Sequence, residues 1–251
     1  MTNKTNGHKK VAIVGFAKSA EKTPWDDPSF EIWVMNFAEV IKAGFKRFDV
    51  ILDLHEWDTI YAECHEFEGD NRFDLLLKET RPIYMLEYND LVPGSRKFPL
   101  DELTKEFFPW AQKINGRWDD VYWCSNAQQM VALAIHQGFT EIHLYGIDMA
   151  DNIEYRAQRR GCEYVLGHAV RAGIKIYRPP ECPILRTKFI YGYDIKAEKA
   201  YRAFVSERKK WLTDCVREID NTGMQAAVNK AKFEGMLENT ILFEQNWLDQ
   251  Y

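Results

Sequence analysis

The chain has 251 residues, of which 46% are apolar, and this allows one large domain or one domain with an appendage. The apolar share excludes a globally disordered chain, and the net charge of −5 excludes a whole-protein basic field for nucleic acid. A local basic patch remains compatible with that charge, because Arg156, Arg159, Arg160 and Arg171 lie close together in sequence.

No apolar run reaches the ~18 residues that a membrane span requires, so we expect no membrane association. The N-terminal segment MTNKTNGHKK is polar and lacks the apolar core of a signal peptide, which predicts a cytoplasmic protein. The five cysteines are scattered without a CxxC pair, so neither a disulfide framework nor a structural zinc site is predicted.

Short apolar segments alternate with helical patterns along most of the chain. Strands are predicted at Val11–Gly15, Phe30–Asn36, Phe48–Leu54, Arg81–Glu87, 141–148 and 173–179, and Val121–Ser125 is interpreted as a short strand or an extended lead-in. Helices are predicted at Asn126–Gln137 and Glu154–Ala172, each ended by a glycine. This alternation predicts an α/β fold, a Rossmann-like and mostly parallel sheet with helices on both faces.

The pattern changes beyond Pro183, and residues 197–251 carry no strand signal. We interpret them as two or three amphipathic helices. The sequence thus predicts a Rossmann-like nucleotide-binding domain over residues 1–195 and a helical C-terminal extension over residues 196–251. These helices either cover one side of the sheet or mediate homo-oligomer formation, and the alternative is a lid or an acceptor-binding wall.

The first predicted strand ends in the turn GFAKSA, which begins at Gly15. A dinucleotide-binding turn has the form G-x-G-x-x-G, with G or A at the last position. This chain has Gly15 at the first glycine position, Ala17 at the second and Ala20 at the third. The small side chains, the Ser19 hydroxyl and the Lys18 cation still suit a phosphate. An ordinary strand-to-helix turn is the alternative.

The second and third predicted strands also end in polar residues. An NAD site has an acid after the second strand, whereas this chain has Asn36, so we expect that NAD is not the cofactor. An amide suits the base or ribose of another nucleotide, and a buried asparagine satisfied by backbone is the alternative. Asp53 ends the third strand, and three polar strand ends together predict a cleft.

Other catalytic signatures are weak. The acids and histidines of 53–66 do not form an H-E-x-x-H helix, so no transition-metal site is predicted, and a Mg²⁺ ion held on a phosphate would leave no sequence signature. Neither G-x-S-x-G nor a P-loop occurs. Ser125 or Asn126 is expected to cap the following helix, whose N-terminus could also bind an anion.

The segments VAIVGFAKSA, FEIWVMN and FDVILDL, followed by YWCSNAQQMVALAIHQGFTEIHLYGIDM, resemble the Rossmann-like core of bacterial sialyltransferases that use CMP-sialic acid. The chain is also similar to the archaeal 6-hydroxymethylpterin pyrophosphokinase-like family. Its likeness is strongest to uncharacterised bacteriophage proteins with segments of the YGIDM, EYRAQR and EYVLGHA type. The resemblance covers about residues 10–190.

The resemblance implies a set of site residues. In those sialyltransferases the matching positions surround the nucleotide sugar, and they correspond here to Gly15 to Ser19, Asn36, Asp53, Ser125 and Asp148. The family's catalytic histidine lies between the G-I-D strand and the next helix, where this chain has ADNIEYRAQRR without a histidine. The resemblance therefore implies nucleotide binding more directly than sialyl transfer.

Further roles are expected around Asp148. Gly146 is expected to let a ligand approach the backbone closely, and Asp148 to bind a sugar hydroxyl or act as a base, with Asp53 as the other candidate base. Tyr155, Arg156 and Gln158 are expected to line the donor or phosphate pocket. In the alternative, Asp148 caps the next segment and the arginines are solvated.

The leading hypothesis is a glycosyltransferase that uses a CMP- or UDP-linked sugar, with Mg²⁺ as an optional partner. A phage-encoded enzyme would work in the host cytoplasm and could glycosylate a hydroxymethylated DNA base, although the acidic charge supports a DNA acceptor poorly. The alternatives are nucleotidyl or pyrophosphoryl transfer with Mg²⁺, and a non-catalytic nucleotide-binding protein.

Overall fold

The computed structural model describes residues 9–45, 47–67, 69–149, 153–187, 190, 192–220 and 226–248. The side chains of residues 153–156 and of parts of the two C-terminal helices lie outside that description. The chain divides into two compact units, Met1–Leu185 and Arg186–Tyr251. The division lies before the predicted boundary at residue 195, and the domain assignment stays a prediction.

The first unit is built on a parallel sheet. Its strands are β1 (Lys10–Val14), β2 (Phe30–Met35), β3 (Val50–Leu52), β4 (Ile83–Met85), β5 (Ser95–Lys97), β8 (Glu141–Tyr145) and β9 (Lys175–Tyr177). They form a seven-stranded sheet in the order β5-β4-β3-β2-β1-β8-β9, with every described pair parallel. Two further strands, β6 (Gln112–Ile114) and β7 (Arg117–Asp119), form a separate antiparallel hairpin.

Helices connect the strands of the sheet. They are a 3₁₀ helix (Lys18–Lys22), α1 (Phe37–Lys42), α2 (Trp57–Glu63), α3 (Arg72–Leu76), α4 (Leu100–Phe107), α5 (Asn126–His136) and α6 (Ile153–Arg171). The predicted α/β fold, a mostly parallel sheet with helices, is confirmed by this arrangement.

The sheet separates two hydrophobic cores. Because successive side chains of a strand point to opposite faces, Val11 and Ile13 of β1 enter one core and Ala12 and Val14 enter the other. The first core includes apolar residues of α4, α5 and α6, and the second includes those of α1, α2 and α3. Burial on both faces explains why β1 has a continuous apolar sequence instead of an alternating one.

Two local differences from the sequence prediction have physical reasons. The edge strand β5 has the sequence SRK, which carries no apolar signal, and the β6–β7 hairpin is exposed along most of its length. Of the two alternatives for residues 121–125, a short strand or a lead-in, the structure has the lead-in to α5. The helix itself ends as predicted, with Gly138 in a left-handed conformation (φ 77°) that closes its last turn.

The second unit contains two long helices, α7 (Ile195–Asp220) and α8 (Ala226–Leu248), which pack against each other. Trp211 of α7 contacts Phe233 of α8, with ring centroids 5.9 Å apart. Within the described ranges, no helix of the protein is both long enough and apolar enough to span a membrane. Self-association through these helices stays a prediction.

Candidate functional site

A cleft of about 770 Å³ lies where the order of the strands reverses. From β1 the chain proceeds outward through β2 to β5 on one side, and later adds β8 and β9 on the other side. In open parallel sheets, ligands bind outside the carboxyl ends of the strands at this reversal point. The cleft is lined by residues that follow β1, β2, β3 and β8 and by the first turn of α5.

Gly15 and Gly146 form the floor of the cleft. The Gly15 amide donates to the Tyr145 carbonyl at 2.8 Å, and the Ala17 amide donates to the Gly146 carbonyl at 3.0 Å. Gly146 adopts a φ of 62°, and a Cβ built on it would lie 2.5 Å from the Gly15 carbonyl oxygen. The two backbone segments are in close contact, and the amides of Gly15 and Ala17 are already hydrogen-bonded there. Gly146 also lines the cleft, and close approach of a ligand to it stays a prediction.

Ser19 holds Asp148 from behind the wall of the cleft. Its hydroxyl donates to Asp148 Oδ1 at 2.9 Å and accepts from the Gly146 amide at 2.8 Å. Ser19 is buried, at 3% exposure, whereas Asp148 is half-buried and lines the cleft. Ser19 is not among the residues that line the cleft, and its hydroxyl orients the Asp148 carboxylate. The predicted contact between Ser19 and a ligand stays a prediction.

An amide pair forms the opposite part of the wall. Asn126 Nδ2 donates to Asn36 Oδ1 at 2.8 Å, which joins the end of β2 to the start of α5. Asn36 has a φ of 59°, a left-handed conformation that asparagine tolerates better than most residues. Asn36 Nδ2 and Asn126 Oδ1 have no other partner in the described part of the chain, so the pair presents one donor and one acceptor.

The N-terminus of α5 and one lysine give this wall positive potential. The Ser125 hydroxyl accepts from the Gln128 amide at 3.2 Å, which is the predicted helix cap. A helix N-terminus attracts anions through its free amides and its dipole. Lys18 is exposed on the turn after β1, lines the cleft, and makes no ion pair among the described residues.

His55 and Asp53 form a hydrogen-bonded pair after β3. Asp53 is 1% exposed, and its Oδ2 accepts from the Phe37 amide at 2.9 Å. Its Oδ1 lies 3.0 Å from His55 Nδ1, and this hydrogen bond raises the pKa of His55 above its ordinary value. His55 lines the cleft and Asp53 does not. Asp53, predicted as a direct base, is thus placed behind His55.

A second cavity of about 750 Å³ lies beside the cleft and shares Phe16, Ala17 and Lys18 with it. The ring of Phe16 stacks on Phe45 with centroids 5.8 Å apart, and Trp25 contacts Phe45 at 5.0 Å. Phe16 is 41% exposed. The turn after β1 therefore separates two cavities, a cleft with polar and apolar lining in nearly equal parts and a cavity with an aromatic wall.

The cleft brings together most of the residues that the sequence predicted. Those that line it are Gly15, Ala17, Asn36, Ser125, Asn126, Gly146, Asp148 and Gln158. The side chains of Tyr155 and Arg156 lie outside the described residues. Sequence reasoning considered His55 only as a metal ligand and missed its place in the wall. No group of three potential metal-ligating side chains occurs in the described part of the chain.

No protein-family model and no curated protein matches this chain. Among solved structures, the chain is similar to the sialyltransferase CstII from Campylobacter jejuni, determined in complex with a substrate analogue, cytidine-5′-monophosphate. The two are 18% identical, with a TM-score of 0.41 over 72% of this chain and 88% of that chain. The function proposed below depends on the residues of the cleft and not on this similarity.

Proposed function

We propose that the protein is a glycosyltransferase that binds a CMP- or UDP-linked sugar in the cleft and transfers the sugar to a hydroxyl acceptor. The observation that carries this proposal is the meeting, at the reversal point of the sheet, of an amide pair, a helix N-terminus and a lysine that has no ion pair among the described residues. These groups match the base or ribose and the phosphate of a nucleotide. The sequence resemblance to enzymes that use CMP-sialic acid favours the cytidine donor.

Each wall of the cleft has a part in the proposed donor complex. The Asn36 amide group and the Asn126 carbonyl oxygen, which have no partner among the described residues, would bind the base or ribose, because an amide pair offers both a donor and an acceptor. Lys18 and the first turn of α5 would bind the phosphate and stabilise the charge of the departing nucleoside phosphate. Asp148, oriented by Ser19, would accept hydrogen bonds from the sugar hydroxyls.

The second cavity is the proposed place for the acceptor. It adjoins the donor cleft across the turn of Phe16 to Lys18, so an acceptor there would approach the donor beside the phosphate that Lys18 would bind, where the bond to the sugar breaks. Aromatic rings commonly form hydrophobic walls of ligand pockets. Both a sugar ring and a hydroxymethylated DNA base could stack on Phe16. The charge of −5 makes the DNA base the weaker choice.

Calorimetry tests the donor site. CMP, UDP, CMP-sialic acid and UDP-glucose are titrated into the protein and into Asn36→Gly, which retains freedom for the positive φ but removes the amide. We expect affinity for the preferred nucleotide to fall about 10-fold or more, since hydrogen bonds of this kind contribute on the order of 1.4 kcal/mol. The matched control is Asn115→Gly, another asparagine at positive φ (49°), in the exposed β6–β7 turn.

Release of nucleotide from the sugar donor tests catalysis. Nucleotide binding without release, in the presence of a panel of glycan and hydroxymethylated DNA acceptors, would support the non-catalytic alternative. Mg²⁺-dependent release of pyrophosphate from a nucleoside triphosphate would support nucleotidyl transfer instead. Failure of all four ligands to bind would contradict the proposal.

A further inference from the structure

His55 is held in one orientation by a buried carboxylate. Asp53 Oδ2 is fixed by the Phe37 amide, so Oδ1 is directed to His55 Nδ1 at 3.0 Å. An ionised carboxylate only accepts hydrogen bonds, so Nδ1 of the neutral ring must carry the proton and Nε2 the lone pair. Nε2 has no hydrogen-bond partner in the described part of the chain, and the side chain is 34% exposed in the wall of the cleft.

A second carboxylate, that of Glu63, lies near the same ring nitrogen of His55 that contacts Asp53. Glu63 Oε2 on α2 is 3.8 Å from His55 Nδ1, and this buried oxygen has no hydrogen-bond partner among the described residues. Burial raises the pKa of Glu63, and the Asp53 hydrogen bond is the largest cause of the raised pKa of His55. When Glu63 is ionised, both carboxylates would stabilise a positive charge on His55.

We propose that His55 is the general base for the transfer reaction and that Asp53 is its positioning residue, an inference that rests on the function proposed above. The acceptor O–H bond breaks, its proton moves to His55 Nε2, and the acceptor oxygen bonds to the anomeric carbon. The electron pair of the bond between the anomeric carbon and the phosphate oxygen leaves with the nucleotide. His55 then returns the proton to solvent.

His55 suits this role better than the two acids predicted from the sequence. A general base is most effective when its pKa lies near the working pH, and histidine has an ordinary value of about 6.5 against about 3.9 for aspartate. Asp53 is too buried to reach an acceptor. Asp148 already accepts from Ser19 through one of its two oxygens.

The pKa of His55 can be measured without substrate. A ¹H–¹³C NMR titration of the histidine rings gives the pKa of His55 in the wild type, in Asp53→Asn and in Glu63→Gln. We expect both substitutions to lower it, with the larger decrease in Asp53→Asn, because the Asp53 hydrogen bond is the main cause of the shift. An unchanged His55 pKa in Asp53→Asn would overturn the positioning role, provided that the variant melts as a folded protein.

The rate of nucleotide release from the sugar donor, measured in the presence of acceptor, tests the catalytic role of His55. We expect His55→Gln to lower kcat at least 100-fold, to leave the affinity for CMP within twofold, and to remove the acidic limb of the kcat/KM profile. In the wild type, the pKa of that limb should equal the value from NMR, since kcat/KM reports the free enzyme. His65→Gln is the matched control, because His65 Nδ1 contacts the Tyr61 carbonyl and the ring does not line the cleft.

The outcomes separate the two proposals. Donor turnover that persists in His55→Gln with its acidic limb intact would overturn the inference and leave the glycosyltransferase proposal standing. A wild-type protein that binds no nucleotide would contradict the proposed function and the inference with it. Loss of turnover with equal loss of CMP affinity would reassign His55 to donor binding and overturn its role as base.

Discussion

Gly146 and Gly15 meet backbone to backbone, and each occupies the space in which a side chain of the other would lie. The contact joins the ends of β1 and β8, the two strands between which the sheet order reverses. Ala20 closes the same space, since its Cβ would lie 3.0 Å from a Cβ on Gly146. The cleft therefore begins where two chain segments pack too closely for any side chain.

Gly146→Ala should destabilise the protein by about 2 kcal/mol or more, because it adds a backbone clash to the cost of a left-handed alanine. The free energy of unfolding in urea measures the effect. Gly167→Ala is the matched control, since a Cβ at this exposed site in α6 meets nothing within 4 Å. It should increase helix propensity and leave stability unchanged or higher by up to about 1 kcal/mol. Equal effects of the two substitutions would contradict the packing argument.

Two substitutions at Ser125 should separate its role as a helix cap from a role near the ligand. Ser125→Ala removes the hydrogen bond to the Gln128 amide and should cost about 1 kcal/mol of stability. Ser125→Asp keeps an equally good cap but places a negative charge at the cleft, so it should retain stability and lose nucleotide affinity. Thermal melts give the stability of each variant, and calorimetry gives its nucleotide affinity. Unchanged affinity in Ser125→Asp would place the phosphate away from α5.

Asp148→Asn should leave the melting temperature close to that of the wild type, because the amide oxygen can still accept from Ser19. If Asp148 binds the donor sugar and His55 is the base, this substitution should lower turnover by less than His55→Gln does. Steady-state kinetics on both variants shows which substitution lowers kcat more. A loss of 100-fold or more in kcat with unchanged donor affinity would instead make Asp148 the base.

The stability of the folded protein should depend on the charge of His55. Its pKa in the folded state is raised by the Asp53 hydrogen bond above the unfolded value of about 6.5. The contribution of protonated His55 to the free energy of unfolding is therefore fully present below about pH 6.5, and it is lost as the pH rises through the folded-state pKa. The difference in unfolding free energy between wild type and His55→Gln should be larger at about pH 5.5 than at about pH 8.5. A difference that does not vary with pH would contradict the assignment.

NAD should not bind at micromolar concentration. The end of β2 presents the amide of Asn36 where an NAD site has an acid for the ribose hydroxyls. The amides of Gly15 and Ala17 are also occupied by the end of β8. Saturable binding of NAD in calorimetry would contradict this expectation and would move the candidate function towards redox chemistry.

The sequence predicted the central strands and α5 because their apolar residues are buried on both faces or at helical spacing. It missed β5, whose sequence SRK carries charge at the sheet edge. Asn36 and Asp148 could be placed at the cleft because parallel strands end at one edge. His55 could not, since the direction of a side chain in the loop after β3 depends on Asp53, which in turn depends on the Phe37 amide.

The cleft takes its walls from segments near residues 15, 36, 55, 125 and 148, which become neighbours only when β1, β2, β3 and β8 have paired. No single strand with its following loop contains the whole site, so ligand binding and assembly of the sheet are thermodynamically linked. A nucleotide at about 100 times its Kd would then protect the first unit as a whole by about 2.7 kcal/mol. In hydrogen exchange, this protection should reach the central amides of β1 and β8 as well as the loops that touch the ligand.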